Sequence, residues 1–191
     1  MARRAVAGAE KKARREGRTI VLVDESGFYL LPGVVRTYAP CGETPILKVF
    51  ETRDHLSAMS GITPAGQLAT LVRSYALTGA ESVLFLRHLR CYVAERLLVI
   101  WDGSPIHRSR AVKNYLANGG APAVHLERLP AYAPDLNPDE GVWQHLKRVE
   151  LRNLCCADLD DLHHELRLAI SRLRQKPQLI QSFFARVGLD I

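Results

Sequence analysis

The chain has 191 residues, 47% of them apolar and 24% charged, with a net charge of +6. That length carries one good-sized domain with its own core, and no apolar run approaches the ~18 residues that a membrane span needs. No apolar stretch follows the positive N-terminus, so no secretory signal is read there. Cys41, Cys91, Cys155 and Cys156 form no CxxC pair, which fits reduced thiols in a cytoplasmic protein better than a disulfide framework or a zinc site.

The charge is uneven. Residues 1–18 hold seven Lys/Arg against two Glu, so most of the positive surplus sits there and the body is nearly neutral. A basic run hints at a polyanionic partner; the plainer reading is a solvated helix or linker. Residues 2–16 suit a helix with Gly8 as a weak point and Gly17 as its stop. Two units follow: a basic N-terminal segment, 1–18, and a domain, 19–191.

Thr19–Asp24 (TIVLVD) is rich in β-branched residues and reads as a strand. A turn at Glu25-Ser26-Gly27 is expected next, then a second strand at Phe28–Leu31. Further strands are expected at Pro45–Phe50, Leu56–Ile62 and Gln67–Val72, the last two joined by the turn Thr63-Pro64-Ala65-Gly66. Residues 79–93 show apolar spacing close to that of a helix. Leu97–Trp101 (LLVIW) is the continuous apolar run of a buried central strand. A helix at Ser109–Asn118, a strand at Val124–Leu126 and helices near 138–152 and 158–175 complete the chain. Strands in a meander, then strands alternating with helices, give a mixed sheet with helices on its faces, α/β in class.

Two acids directly follow apolar strands: Asp24 after TIVLV and Asp102 after LLVIW. One such Asp is usually a turn or cap residue; two on central strands suggest neighbours on one sheet edge. Glu140 is the third acid. Asn137-Pro138-Asp139-Glu140 has the pattern of a helix start, with Asn at the cap, Pro in the first position and Glu able to close a capping box. Against that reading stand prolines at 130, 134 and 138, which stiffen the approach as a metal ligand requires and a cap does not. On that helix Glu140 shares a face with Trp143, Gln144 and Lys147, while Val142, Leu146 and Val149 fall on the side expected to be buried. Two Asp and one Glu make an all-oxygen site suited to Mg²⁺ or Mn²⁺. Two such ions favour phosphodiester cleavage or exchange, and Lys147 beside them suits a phosphate backbone.

Taken together, VDESGFYLLP (23–32), WDGSPIHRS (101–109) and LPAYAPDLNPDEGVWQHLK (129–147) resemble the catalytic domain of DDE transposases of the mariner superfamily, in its bacterial insertion-sequence branch. The third segment is the most specific. The resemblance implies a ribonuclease H-like fold with Asp24, Asp102 and Glu140 as the catalytic, metal-binding acids, and it selects Glu140 over Asp139. It implies cut-and-paste transposition: metal-dependent DNA hydrolysis and strand transfer, acting on transposon ends and target DNA, as a homodimer near the nucleoid. His107 matches a position where relatives often carry a His, able to hydrogen-bond a phosphate or to orient the site, with Arg108 adding charge; His107, Arg108, Lys147 and Arg148 are the candidate DNA-binding residues. The 37 residues between Asp102 and Glu140 exceed the family's familiar spacing by a few, a difference assigned to the 118–122 loop. Gly103 stands where many relatives have Asn. Only 18 residues precede the first strand, so the helix-turn-helix modules that read transposon ends in this family are expected on an upstream or separate polypeptide. Two other readings stay open: another ribonuclease H-like nuclease, or an inactive DNA-binding or oligomerisation remnant.

Overall fold

The computed structural model of the chain describes residues 2–49, 52–93, 96–129 and 137–189, with side chains from residue 8 onward. β1 (Thr19–Tyr29), β2 (His55–Ile62) and β3 (Leu68–Arg73) form an antiparallel meander. β4 (Leu97–Trp101) and β5 (Val124–Arg128) add to the other edge of β1 in parallel, so the sheet order is β3-β2-β1-β4-β5. Parallel neighbours need a crossover. Helix α2 (Gly79–Val93) lies between β3 and β4, and α3 (Arg110–Tyr115) between β4 and β5. Helix α1 (Ala2–Glu16) precedes the sheet, and α4 (Asp139–His145), α5 (Leu159–Arg174) and α6 (Pro177–Arg186) follow it.

Side chains alternate across a strand, and the central strands use both faces. Ile20 and Leu22 of β1, with Leu98 and Ile100 of β4, pack under Trp143, Leu146, Leu166, Leu173 and Phe183. Val21, Val23, Leu97, Val99 and Trp101 pack on the opposite face, under Phe85, Leu86 and Leu89 of α2 and Val112 of α3. The sheet is therefore sandwiched, which explains why LLVIW reads as an unbroken apolar run.

Several elements differ from their sequence signals. No turn interrupts β1 at Glu25-Ser26-Gly27. The strand continues to Tyr29 because β2 pairs with it from Leu22↔Ile62 through Tyr29↔His55, so Asp24 lies mid-strand and not at a strand end. The expected strand at 45–50 is absent over its described part: residues 45–49 are irregular and exposed, without a sheet neighbour to pair with. Helix α3 is shorter than expected and runs into a π turn, Leu116–Gly120, where Gly119 adopts φ +91°. Helix α6 carries a weak sequence signal, and its Ile180, Phe183 and Phe184 are buried. Helix α1 is not fully solvated: Ala9 and Ala13 join the core, and Lys12 pairs with Glu127 of β5 at 3.0 Å.

Helix α4 passes into a second π turn, Leu146–Glu150. A π turn holds more residues than an α turn, so the buried stripe shifts phase. Val149, expected in the core, is exposed, and Glu150 turns inward. There it receives Arg172 at 2.6 Å, Lys176 at 3.0 Å and His145 at 3.3 Å. Burial works against the Glu150 charge, but these donors outweigh it and bring its carboxyl down to about 2 from an ordinary 4.5. A depressed carboxyl stabilises the fold above its unfolded value, and that contribution is lost as pH falls from about 4.5 towards 2. Because Arg172 and Lys176 are each 47% exposed, solvent screening limits the gain. Glu150→Gln is expected to cost about 1 kcal/mol at pH 7 and nothing at pH 2, as read by urea unfolding. An equal cost at both pH values would mean that packing, not charge, holds this junction.

Among the described residues the four cysteines are free, and no helix is long and apolar enough to cross a membrane.

Candidate active site

The register brings the first two acids together. β1 and β4 are parallel neighbours with Leu22 opposite Ile100, and Asp24 and Asp102 each lie two residues further on, at one level of the sheet. Asp24 takes the parity of Leu22 and faces α4, whose Trp143 donates its indole N–H to Asp24 Oδ2 at 3.0 Å. Burial, then the charges of Glu140 and Glu25, push the Asp24 carboxyl up to about 7; the Trp143 hydrogen bond offsets this only in part. Acids crowded in this way are relieved by a cation.

Asp102 closes a tight turn after β4, its Oδ1 accepting the Ser104 backbone N–H at 2.8 Å. The following turn, Pro105–Arg108, returns His107 beneath the strand end. The imidazole stacks flat on Trp101, with ring centroids 4.0 Å apart. Its Nε2 lies 2.7 Å from Glu25 Oε1 and its Nδ1 3.0 Å from Asp102 Oδ1. Burial alone would lower the imidazole pKa, but the Glu25 hydrogen bond and charge, with Asp102, raise it. Both ring nitrogens thus lie within hydrogen-bond reach of a carboxylate oxygen. Sequence placed His107 among the DNA contacts, yet its ring is 1% exposed and both nitrogens are engaged. Its geometry is that of a bridge between acids. Arg108, by contrast, is exposed.

Among the described residues, the group of three whose ligand atoms lie within 4.8 Å of one another is Glu25, Asp102 and His107. Glu25 has no signal of its own in the sequence. It is functional in position only because β1 runs on past Asp24, which points Glu25 to the opposite face. Arg128, at the end of β5, is another residue that sequence did not single out. Its guanidinium covers Gly103, and a Cβ there would collide with it. Glycine at position 103 thus admits a cation over the Asp102 turn.

Glu140 sits in the first turn of α4. Prolines 130 and 134 of the approach lie outside the described residues. Asn137 is buried, and its Oδ1 accepts the Asp139 N–H at 3.2 Å. The anticipated capping box does not form: among the described residues no hydrogen bond reaches the Glu140 carboxylate. It lines a cavity of about 520 Å³ with Gln144 and Arg186. Asp139 points the other way. It is wholly buried, and Ser60 Oγ, on the β2 residue paired with Asp24, donates to its Oδ1 at 2.7 Å. Its Oδ2 has no partner, and burial, then the Asp24 charge, hold its carboxyl well above the usual range. Asp139 is therefore a buried strut under the site. Lys147 donates to Ser26 Oγ at 2.7 Å, and its Nζ lies 5.2 Å from the Phe28 ring centroid. Burial lowers its pKa against the pull of Glu140 and Asp24. Arg148 is exposed.

A five-stranded sheet of this order, with acids on its two central parallel strands and on a following helix, defines a ribonuclease H-like fold. The chain belongs to the DDE superfamily endonucleases, whose family profile matches residues 19–163. No curated protein shows significant sequence similarity to it. Solved structures with the same fold include the Mos1 mariner transposase paired-end complex with Mg, at 19% identity and TM-score 0.64, covering 97% of this chain and 58% of that one. The Mos1 strand transfer complex aligns at 19% identity and TM-score 0.57, over 98% and 61%. The isolated catalytic domain of Mos1 aligns at 18% identity and TM-score 0.52, over 97% and 92%. The chain thus spans about three-fifths of the full transposase chains and nearly all of the catalytic domain.

Proposed function

We propose that the chain is a transposase catalytic domain that hydrolyses DNA phosphodiesters and transfers strands, using Asp24, Asp102 and Glu140 to hold divalent metal. The observation that carries this reading is the Glu140 carboxylate, which no hydrogen bond reaches among the described residues. An acid at a helix start with no capping bond, coupled to a buried Asp24 whose carboxyl is pushed up to about 7, is arranged for a ligand and not for helix stability. The donors fit Mg²⁺ or Mn²⁺, since all are carboxylate oxygens. The relatives solved with Mg and with Mn favour the same ions. When bound, two such ions supply an activated water or 3′-hydroxyl and neutralise charge on the leaving oxygen.

The chain's own residues have distinct tasks. Trp143 fixes the Asp24 carboxylate, and Asp139 with Ser60 props the start of α4 against the sheet. His107 holds Asp102 and Glu25 apart at a set distance. Arg108, Lys147 and Arg148 meet phosphates, with Arg128 as a further cation over the Asp102 turn. By analogy with the paired-end complexes, the DNA is transposon ends and target, and the working unit is a homodimer in the cytoplasm, on the nucleoid. End recognition belongs to a helix-turn-helix polypeptide, fused upstream or supplied separately.

The test is nicking of supercoiled DNA with Mg²⁺ or Mn²⁺ by the wild-type chain and by Asp24→Ala, Asp102→Ala and Glu140→Ala, each checked for folding. Every variant is expected to lose at least ~10²-fold in rate, the scale of removing one transition-state stabiliser. Full metal-dependent activity in any folded variant would remove that acid from the site.

A further inference from the structure

A large concavity lies away from the acids. It is a groove of about 1120 Å³ between α2 and the α3 end of the β4–β5 crossover. Arg87 and Arg90 of α2 stand on one wall with Arg96 just before β4, and Asn114 and Asn118 lie on the other. The floor is made of small residues, among them Ala80, Ala111 and Gly119. Among the described residues, no lining residue is acidic and none of the three arginines has a carboxylate partner. Arg87 rests over the Tyr115 ring, 5.8 Å from its centroid, and Arg96 donates to the Pro122 carbonyl at 3.3 Å. Arginines in a fold usually find carboxylates or solvent; three that have no carboxylate partner among the described residues, lining one groove, make a locally positive channel.

One end of the groove is close in the chain to the active-site turn. Gly79, which opens α2, packs so closely on Ser109 that a Cβ would clash. Ser109 follows His107 and Arg108, and Arg110, exposed, opens α3. Exposed Arg108 and Arg110 therefore stand in the chain between His107 and Ala111, which lines the groove. Along α2, Arg87 and Arg90 are three residues apart and so lie on one face of the helix. The amides of Asn114 and Asn118 add neutral phosphate donors.

We propose that this groove holds the phosphodiester backbone of DNA that leaves the active site, giving the domain a second, sequence-independent contact track. The inference rests on the DNA-processing function above and assigns part of its substrate binding to a surface outside the acids.

The experiment measures binding of a 30-base-pair duplex by the full chain at several salt concentrations. It compares the wild type with Arg87→Gln/Arg90→Gln and with the same double variant carrying Arg96→Gln. Arg152→Gln/Arg167→Gln, two exposed arginines on the other side of the sheet, is the charge-matched control. Each phosphate contact contributes about 0.9 to the log–log salt slope. The groove double variant is expected to flatten the slope by ~1.8 and the triple by a further ~0.9, with thermal unfolding unchanged. The control is expected to keep the wild-type slope. Equal slopes for groove and control variants would overturn the proposal, whether both change or neither does. If the wild type itself neither binds nor nicks DNA, the function proposed above fails first; if it nicks DNA and only the slopes agree, the groove assignment alone fails.

Discussion

Asp24→Asn is expected to abolish cleavage and, without divalent metal, to make the chain more stable above neutral pH. Burial, then Glu140 and Glu25, hold the folded Asp24 carboxyl at about 7, against roughly 3.9 when unfolded. Between those values the folded chain keeps a proton that the unfolded chain releases, so stability falls as pH rises from about 4 to 7. Above 7 the full penalty persists. Asn still accepts the Trp143 N–H but carries no charge. The variant should exceed the wild type by about 1–3 kcal/mol at pH 8 and match it at pH 4, a range reduced from the ideal linkage value because the site is partly solvated. Urea unfolding in EDTA at the two pH values measures this. Added Mg²⁺ should raise the wild-type midpoint by mass action and leave the variant unmoved. A variant less stable than the wild type at pH 8 would show that the charge is accommodated without metal. Gained stability with lost activity is the expected signature of acids gathered for catalysis at the expense of the fold.

The second large effect is at Trp143, which serves core and site at once. Its ring is 3% exposed, packs edge-on against Phe28 at 5.8 Å, and donates to Asp24. Trp143→Ala is expected to destabilise the chain by about 3–5 kcal/mol, the cost of emptying a large aromatic site. Trp143→Phe keeps most of the volume and removes the donor. It should cost less in stability, about 1–2 kcal/mol for the lost bond, and lower kcat for nicking without a matching change in DNA affinity. If Phe restores full kcat, Trp143 is a packing residue only, and Asp24 needs no help from it.

Much of the fold was legible locally. TIVLV, LLVIW and the strands flanking Thr63–Gly66 are short β-branched or apolar runs bounded by turn residues, and they pair as strands within a residue or two of expectation. Gly17, at φ +58°, ends α1 where a left-handed residue is needed. Glu25-Ser26-Gly27 misled because Gly and Ser are turn residues in isolation, whereas β2 pairs with them and keeps them extended. The strand expected at 45–50 has suitable residues but finds no sheet edge. Val149 and Glu150 exchanged places because one π turn rotates every later position, and apolar periodicity assumes a constant pitch.

The sequence by itself located TIVLV, LLVIW, the strands flanking Thr63–Gly66 and the helices near 79–93 and 158–175, because these depend on local runs, and its motifs named Asp24, Asp102 and Glu140 as the candidate acids. It also marked the N-terminal segment as basic. The tertiary structure alone decided that Asp24 and Asp102 lie level on adjacent strands, since strand register is set by long-range pairing. It decided that His107 bridges Glu25 and Asp102, that Asp139 is buried on Ser60 while Glu140 has no hydrogen bond among the described residues, and that Arg87, Arg90 and Arg96 share one groove. Those facts depend on which face each residue takes and on what packs opposite, and a one-residue shift in register or helical phase would change every one of them.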